Sequence, residues 1–104
     1  MLAVIFEVEM KRGLEEEYFE LAGKLRAELE AVDGFISIER FQSVNNARKY
    51  LSISFWRDEQ AIAAWRGHTG HRTAQERGKR ELFSDFRIRV AEVVRDYRLA
   101  DVSA

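Results

Sequence analysis

The 104 residues contain no cysteine and no proline. Without cysteine there is no disulfide, no thiolate metal ligand and no sulfur nucleophile, and nothing in the chain reports a redox compartment. Without proline, turns fall to glycine, asparagine and aspartate, and the regular elements run uninterrupted. An excess of charge is missing as well. Seventeen Lys and Arg face 18 Asp and Glu, a net charge of −1, so no basic field exists to attract nucleic acid or an anionic membrane. No apolar run approaches the ~20 residues of a membrane span. The opening "MLAVIFEVEM" has neither a basic leader nor a cleavage site, and a cytoplasmic location is the expectation. Histidine and tryptophan are scarce, two of each, and all four fall within "FWRDEQAIAAWRGHTGHRTAQ", residues 55–75.

What is present reads as one domain over residues 1–104 with a frayed tail at 98–104. Residues 2–9 alternate as a strand: Leu2, Val4, Phe6 and Val8 against Ala3, Ile5, Glu7 and Glu9. Residues 13–32 form an amphipathic helix, with Leu14, Tyr18, Leu21, Ala22, Leu25, Leu29 and Val32 at three- and four-residue steps. Glu15, Glu16 and Glu17 suit its positive end, and "DG" at Asp33 and Gly34 stops it. Strands follow at 35–41 and 50–56, joined across "SVNNARK". Asp58 offers an N-cap to a second helical region from 59 to about 79, broken near 67–70. A last strand covers 86–97. The order βαββαβ predicts a ferredoxin-like α+β sandwich, one antiparallel sheet with both helices on one face.

Sorting the strands by face gives one uniformly apolar set: Val4, Phe6, Val8, Ile36, Ile38, Leu51, Ile53, Phe55, Ile88 and Val90. It is expected under the helices. The other set mixes Ile5, Phe35, Phe41, Tyr50 and Trp56 with Glu7, Glu39, Arg87, Arg89 and serines. Such a surface is too aromatic for open solvent, and a second copy of the sheet packed against it, a homodimer, is the expectation.

The candidate chemistry lies in residues 65–75. His68 and His71 are three apart and share a helical face, but two imidazoles lack the third protein ligand of a catalytic metal site, and no metal is expected. His71 alone suits proton transfer or substrate anchoring near neutral pH. No serine sits in a nucleophile elbow, and "GHTGHR" lacks the spacing and the lysine of a phosphate loop. Trp65 falls on the apolar side of its helix, where it packs against the sheet and borders whatever cavity remains there. Phe6, Phe55, Phe83 and Phe86 are further lining candidates, with His68, Arg72 and Gln75 as second choices for contacting substrate.

Three segments carry a resemblance. "AVIFEVEMKRGLEEEYFELA", "DGFISIERFQS" and "LSISFWRDEQAIAAWRGHTGHRTAQ" resemble the first strand and helix, the second strand, and the third strand with its tryptophan-bearing helix in the antibiotic biosynthesis monooxygenase (ABM) family. The likeness spans nearly residues 1–98. It implies a dimeric α+β barrel in which two sheets meet face to face and each protomer keeps a pocket between sheet and helices. It also implies oxygenation of a small aromatic or quinol-type molecule by molecular oxygen without a cofactor, Trp65 shaping the pocket and His71 orienting the substrate or accepting its proton. A non-catalytic ligand-binding or stress-related dimer is the competing expectation. A haem-degrading branch of the family shares the tryptophan. Its asparagine and histidine positions are held here by Phe6 and Gln75, with His71 one helical turn before the latter, and haem degradation is the further alternative expectation.

Overall fold

The computed structural model describes residues 1–68, 72–73, 76–77 and 81–102. Its elements run β1 (Leu2–Met10), α1 (Glu15–Glu30), β2 (Phe35–Gln42), β3 (Lys49–Trp56), α2 (Glu59–Arg66), β4 (Phe83–Glu92) and a short α3 (Leu99–Val102). The four strands form one antiparallel sheet in the order β2-β3-β1-β4. This is the ferredoxin-like α+β fold. β4 begins three residues before the expected strand and ends five before its expected end. α2 ends at Arg66, with Gly67 as its C-cap.

Local chemistry accounts for the boundaries. Gly13, at φ 82°, turns the chain from β1 into α1, and three glutamates fill the first turn of that helix. Gly34, at φ 92°, reverses the chain into β2, in a region of backbone space that a Cβ disfavours. Asp58 caps α2: the Ala61 N–H donates to its Oδ1 at 2.9 Å. The β2–β3 connection is held by Ser43 and Asn46. The N–H groups of Asn45 and Asn46 both donate to Ser43 Oγ at 3.2 Å, and that of Arg48 donates to Asn46 Oδ1 at 3.0 Å.

The helices cover one face of the sheet and make two clusters with it. Leu29, Trp56, Ala61, Ile62 and Trp65 form one, joined by Leu2, Val4, Phe35 and Ile38. Val8, Met10, Tyr18 and Leu82 form the other, joined by Phe6, Leu21, Tyr50 and Phe83. A buried indole removes roughly 150–250 Å² from water, about 4–6 kcal/mol at ~25 cal/mol per Å². Trp56 and Trp65 therefore dominate the first cluster.

The register corrects the sorting of faces. Residues paired across an antiparallel ladder point to the same side. Val4 pairs with Ser54, Phe6 with Ser52 and Val8 with Tyr50, so Tyr50, Ser52, Ser54 and Trp56 face the helices. Leu51, Ile53 and Phe55 turn away, opposite to expectation. A bulge between Phe35 and Ser37 shifts β2 by one residue at its start. Phe35 consequently joins the helix side, its ring 5.3 Å from that of Trp56, and Ile36 is exposed. The physical reason is that β3 buries its aromatic ends and small serines beneath helices that need room, while its branched apolar residues line the outer face.

Candidate functional site

Between the helices and the sheet lies a cavity of about 490 Å³, within the range of small-molecule sites. α1 supplies Tyr18, Leu25 and Arg26, and α2 supplies Ile62, Trp65 and Arg66. The sheet contributes its floor in rows set by the ladders. Arg40 stands opposite Ser52, Ser52 opposite Phe6, and Phe6 opposite Ile88. The next row is Ile38, Ser54, Val4 and Val90. Aromatic edges close one end: Phe6 lies 5.8 Å from Phe83 and 6.0 Å from Phe86, and Tyr18 lies 5.7 Å from Phe83, centroid to centroid. Tilted and edge-on rings of this kind make a rigid apolar wall. At the other end the Trp56 indole N–H donates to Ser54 Oγ at 2.9 Å, which satisfies a buried donor and fixes the ring.

The sequence candidates separate clearly. Trp65, Phe6 and Phe83 line the cavity, as does Phe86. Phe55 does not; it belongs to the outer face, paired with Ala3 across the ladder. His68 follows α2 and stacks on Trp65, the rings 5.2 Å apart and inclined by 26°. Arg72 is exposed and donates its backbone N–H to the His68 carbonyl at 3.0 Å. His71 and Gln75 lie outside the described residues. Among the described residues no cluster of three or more His, Cys, Asp or Glu is arranged to hold a metal, and no helix is long and apolar enough to cross a membrane.

Sequence reasoning missed the polar part of the floor. Ser52 and Ser54 are buried and were assigned to the wrong face together with the rest of β3. Arg40 had a legible signal: it continues the alternation of Ile36 and Ile38, so a cation stands where a third apolar residue is due. Its Nε–H is shut off from solvent and has no acceptor, an arrangement that costs roughly 1–3 kcal/mol when nothing compensates it.

A domain of this topology is of the ferredoxin-like α+β class, here with a preformed apolar cavity between sheet and helices. The model of the antibiotic biosynthesis monooxygenase family matches residues 1–77, and the chain belongs to that family. A protein of Pyricularia oryzae named jasmonate monooxygenase is 38% identical over 102 residues, covering 98% of this chain and 47% of the fungal protein. The chain thus spans about half the length of that relative. An uncharacterised Bacillus subtilis protein, YqjZ, is 30% identical across 89% of this chain and 79% of its own. Among solved structures, Rv0793 from Mycobacterium tuberculosis superposes with a TM-score of 0.83 at 16% identity, over 93% of this chain and 98% of that one. The likeness to Rv0793 supports the fold.

Proposed function

We propose that the protein is a homodimeric, cofactor-independent monooxygenase acting on a small aromatic or quinol-type molecule held in the cavity. The observation that carries this reading is the cavity itself, walled by Phe6, Trp65, Phe83 and Phe86, in a chain of a monooxygenase family. The fungal relative's name adds that a close sequence acts on a small organic molecule. The substrate supplies the electrons. Removing a proton from an electron-rich phenol or quinol gives a carbanion-like enolate that reacts with oxygen directly. For an activated ring CH₂ the balance is CH₂ + O₂ → C=O + H₂O, one oxygen atom entering the product and the other leaving as water. The protein's part is to hold the ring plane, accept the proton and exclude water. Trp65 shapes the site, and His71 is the proposed proton acceptor.

Oxygen uptake by the full chain with a panel of hydroquinones and anthrones tests the reading. Consumption with one ¹⁸O retained per product molecule is expected. No consumption, together with ligand-dependent stabilisation, overturns it in favour of a non-catalytic binder. His71→Ala is expected to lose turnover while retaining ligand; a fully active variant removes the histidine from the mechanism.

A further inference from the structure

The cavity's charged residues are of one sign. Arg26, Arg40 and Arg66 line it, and no aspartate or glutamate does among the described residues. Residues 69–71, 74–75 and 78–80 contain no acidic residue either. Arg26 already pairs with Glu30, Nε to Oε1 at 2.8 Å. Arg40 differs. Its neighbour Glu39 pairs with Ile53 on the outer face, and among the described residues Arg40 has no ion-pair partner, while its Nε–H lacks an acceptor. It sits directly across the ladder from Ser52, so a cation and a hydroxyl stand on neighbouring strands in a floor whose other hydroxyl, that of Ser54, already accepts the Trp56 indole N–H.

From this we infer that Arg40, with Ser52 beside it, receives the carboxylate of an amphipathic substrate whose apolar body lies against Trp65 and the phenylalanines. A half-buried guanidinium without a counter-ion favours an anion, and its planar fork matches a carboxylate. The apolar remainder of the wall selects an organic acid over a free inorganic anion. The inference deepens the reading of the cavity as the substrate site and rests on it. Its test reads binding and not turnover, so a protein that consumes no oxygen still decides it.

The probes are 1-naphthylacetate and its methyl ester, titrated calorimetrically at pH 7.5 into the full chain and into Arg40→Met and Arg40→Lys variants whose folding is checked by circular dichroism. The acid is expected to bind the unmodified protein roughly tenfold to a hundredfold more tightly than the ester. Arg40→Met is expected to remove that difference without changing the ester's affinity. Should Arg40→Met fail to fold, Arg40→Lys decides: a greater loss for the acid than for the ester supports the assignment, and equal losses overturn it. Equal affinities of acid and ester for the unmodified protein overturn the anionic site and leave a cavity for neutral ligands. No binding of either overturns the cavity reading as well.

Discussion

Single residues set the joints on which the helices hang, and two are open to direct tests. Gly34 has two reasons to be glycine. Its φ is 92°, and a Cβ built there comes within 2.7 Å of the Ala61 Cβ and 3.3 Å of the Arg57 guanidinium. Strain and overlap act together, because α2 packs against this turn through Ala61. Gly34→Ala is expected to destabilise the fold by about 2–4 kcal/mol in urea unfolding, whereas Gly23→Ala, with nothing near its Cβ, is expected to be neutral or stabilising. Asp58 is the second joint. Its carboxylate accepts from Arg57 Nε at 2.9 Å and from the Ala61 N–H, and these bonds, the Arg57 bond first, hold its pKa below the usual value. A depressed carboxylate pKa contributes stability above the unfolded-state pKa and loses it as pH falls through the folded-state value. The cap is therefore intact at neutral pH and weakens below about pH 4. Asp58→Ala is expected to lower Tm by a few degrees at pH 7. Asp58→Asn keeps the cap, and the gap between it and the unmodified protein should narrow in thermal melts taken from pH 6 down to pH 3.

At the scale of elements, Trp65 ties α2 to the sheet. It is 8% exposed and packs with Leu29, Trp56 and Ile62. Trp65→Ala should cost about 3–5 kcal/mol of stability, and Trp65→Phe appreciably less, by denaturant titration at fixed protein concentration. A loss below ~1 kcal/mol for the alanine variant would show that the ring borders open space instead of core. The same helix illustrates what its residues disclose in advance. The spacing of Ala61, Ile62 and Trp65 and the cap at Asp58 define it from the sequence, as the Leu21–Leu25–Leu29 ladder defines α1 and strict alternation defines β1. β3 was not legible in phase. Leu51, Ile53 and Phe55 are more hydrophobic than Tyr50, Ser52 and Ser54, and a rule that turns the greasier face to the helices inverts the strand. The rule fails where both faces are covered or where the helix side must leave a cavity. Phe55 was misplaced for that reason, and Ser52 and Ser54 were missed with it. The bulge at Phe35 has no sequence signature, since it adds one ordinary residue. Trp65, Phe6 and Phe83 were legible as lining because large rings on the helix side have nowhere else to go. Arg40 was visible as an exception to an apolar alternation, but only the ladder gives it Ser52 as a neighbour.

For the whole molecule, the question is what covers the sheet's outer face. With β3 in its true phase that face is more apolar than the sequence sorting suggested. Ile5, Leu51, Ile53 and Phe55 occupy its middle strands, and Phe41 on the edge strand is about half exposed. Polar residues flank it at both edges: Glu39 on β2, and on β4 Arg89, whose Nη1 reaches Glu7 Oε2 at 3.4 Å. A 104-residue chain leaves a sizeable share of its surface in water, and a contiguous apolar sheet face is stabilised by burial against another. The proposed dimer uses this face, and because the cavity lies on the opposite side, assembly and ligand binding are separable. Ile53→Glu places a charge at the centre of the contact, where desolvation without a partner is costly. The unmodified protein is expected to sediment as a dimer at micromolar concentration and to melt at temperatures that rise with protein concentration. Ile53→Glu should sediment as a monomer, lose that concentration dependence, and still bind naphthylacetate. Val44→Glu, at a fully exposed position on the turn between β2 and β3, should behave as the unmodified dimer. A monomeric unmodified protein, or an Ile53→Glu dimer indistinguishable from it, removes the outer face as the interface. Loss of naphthylacetate binding in a folded Ile53→Glu monomer would show instead that the cavity depends on the second copy.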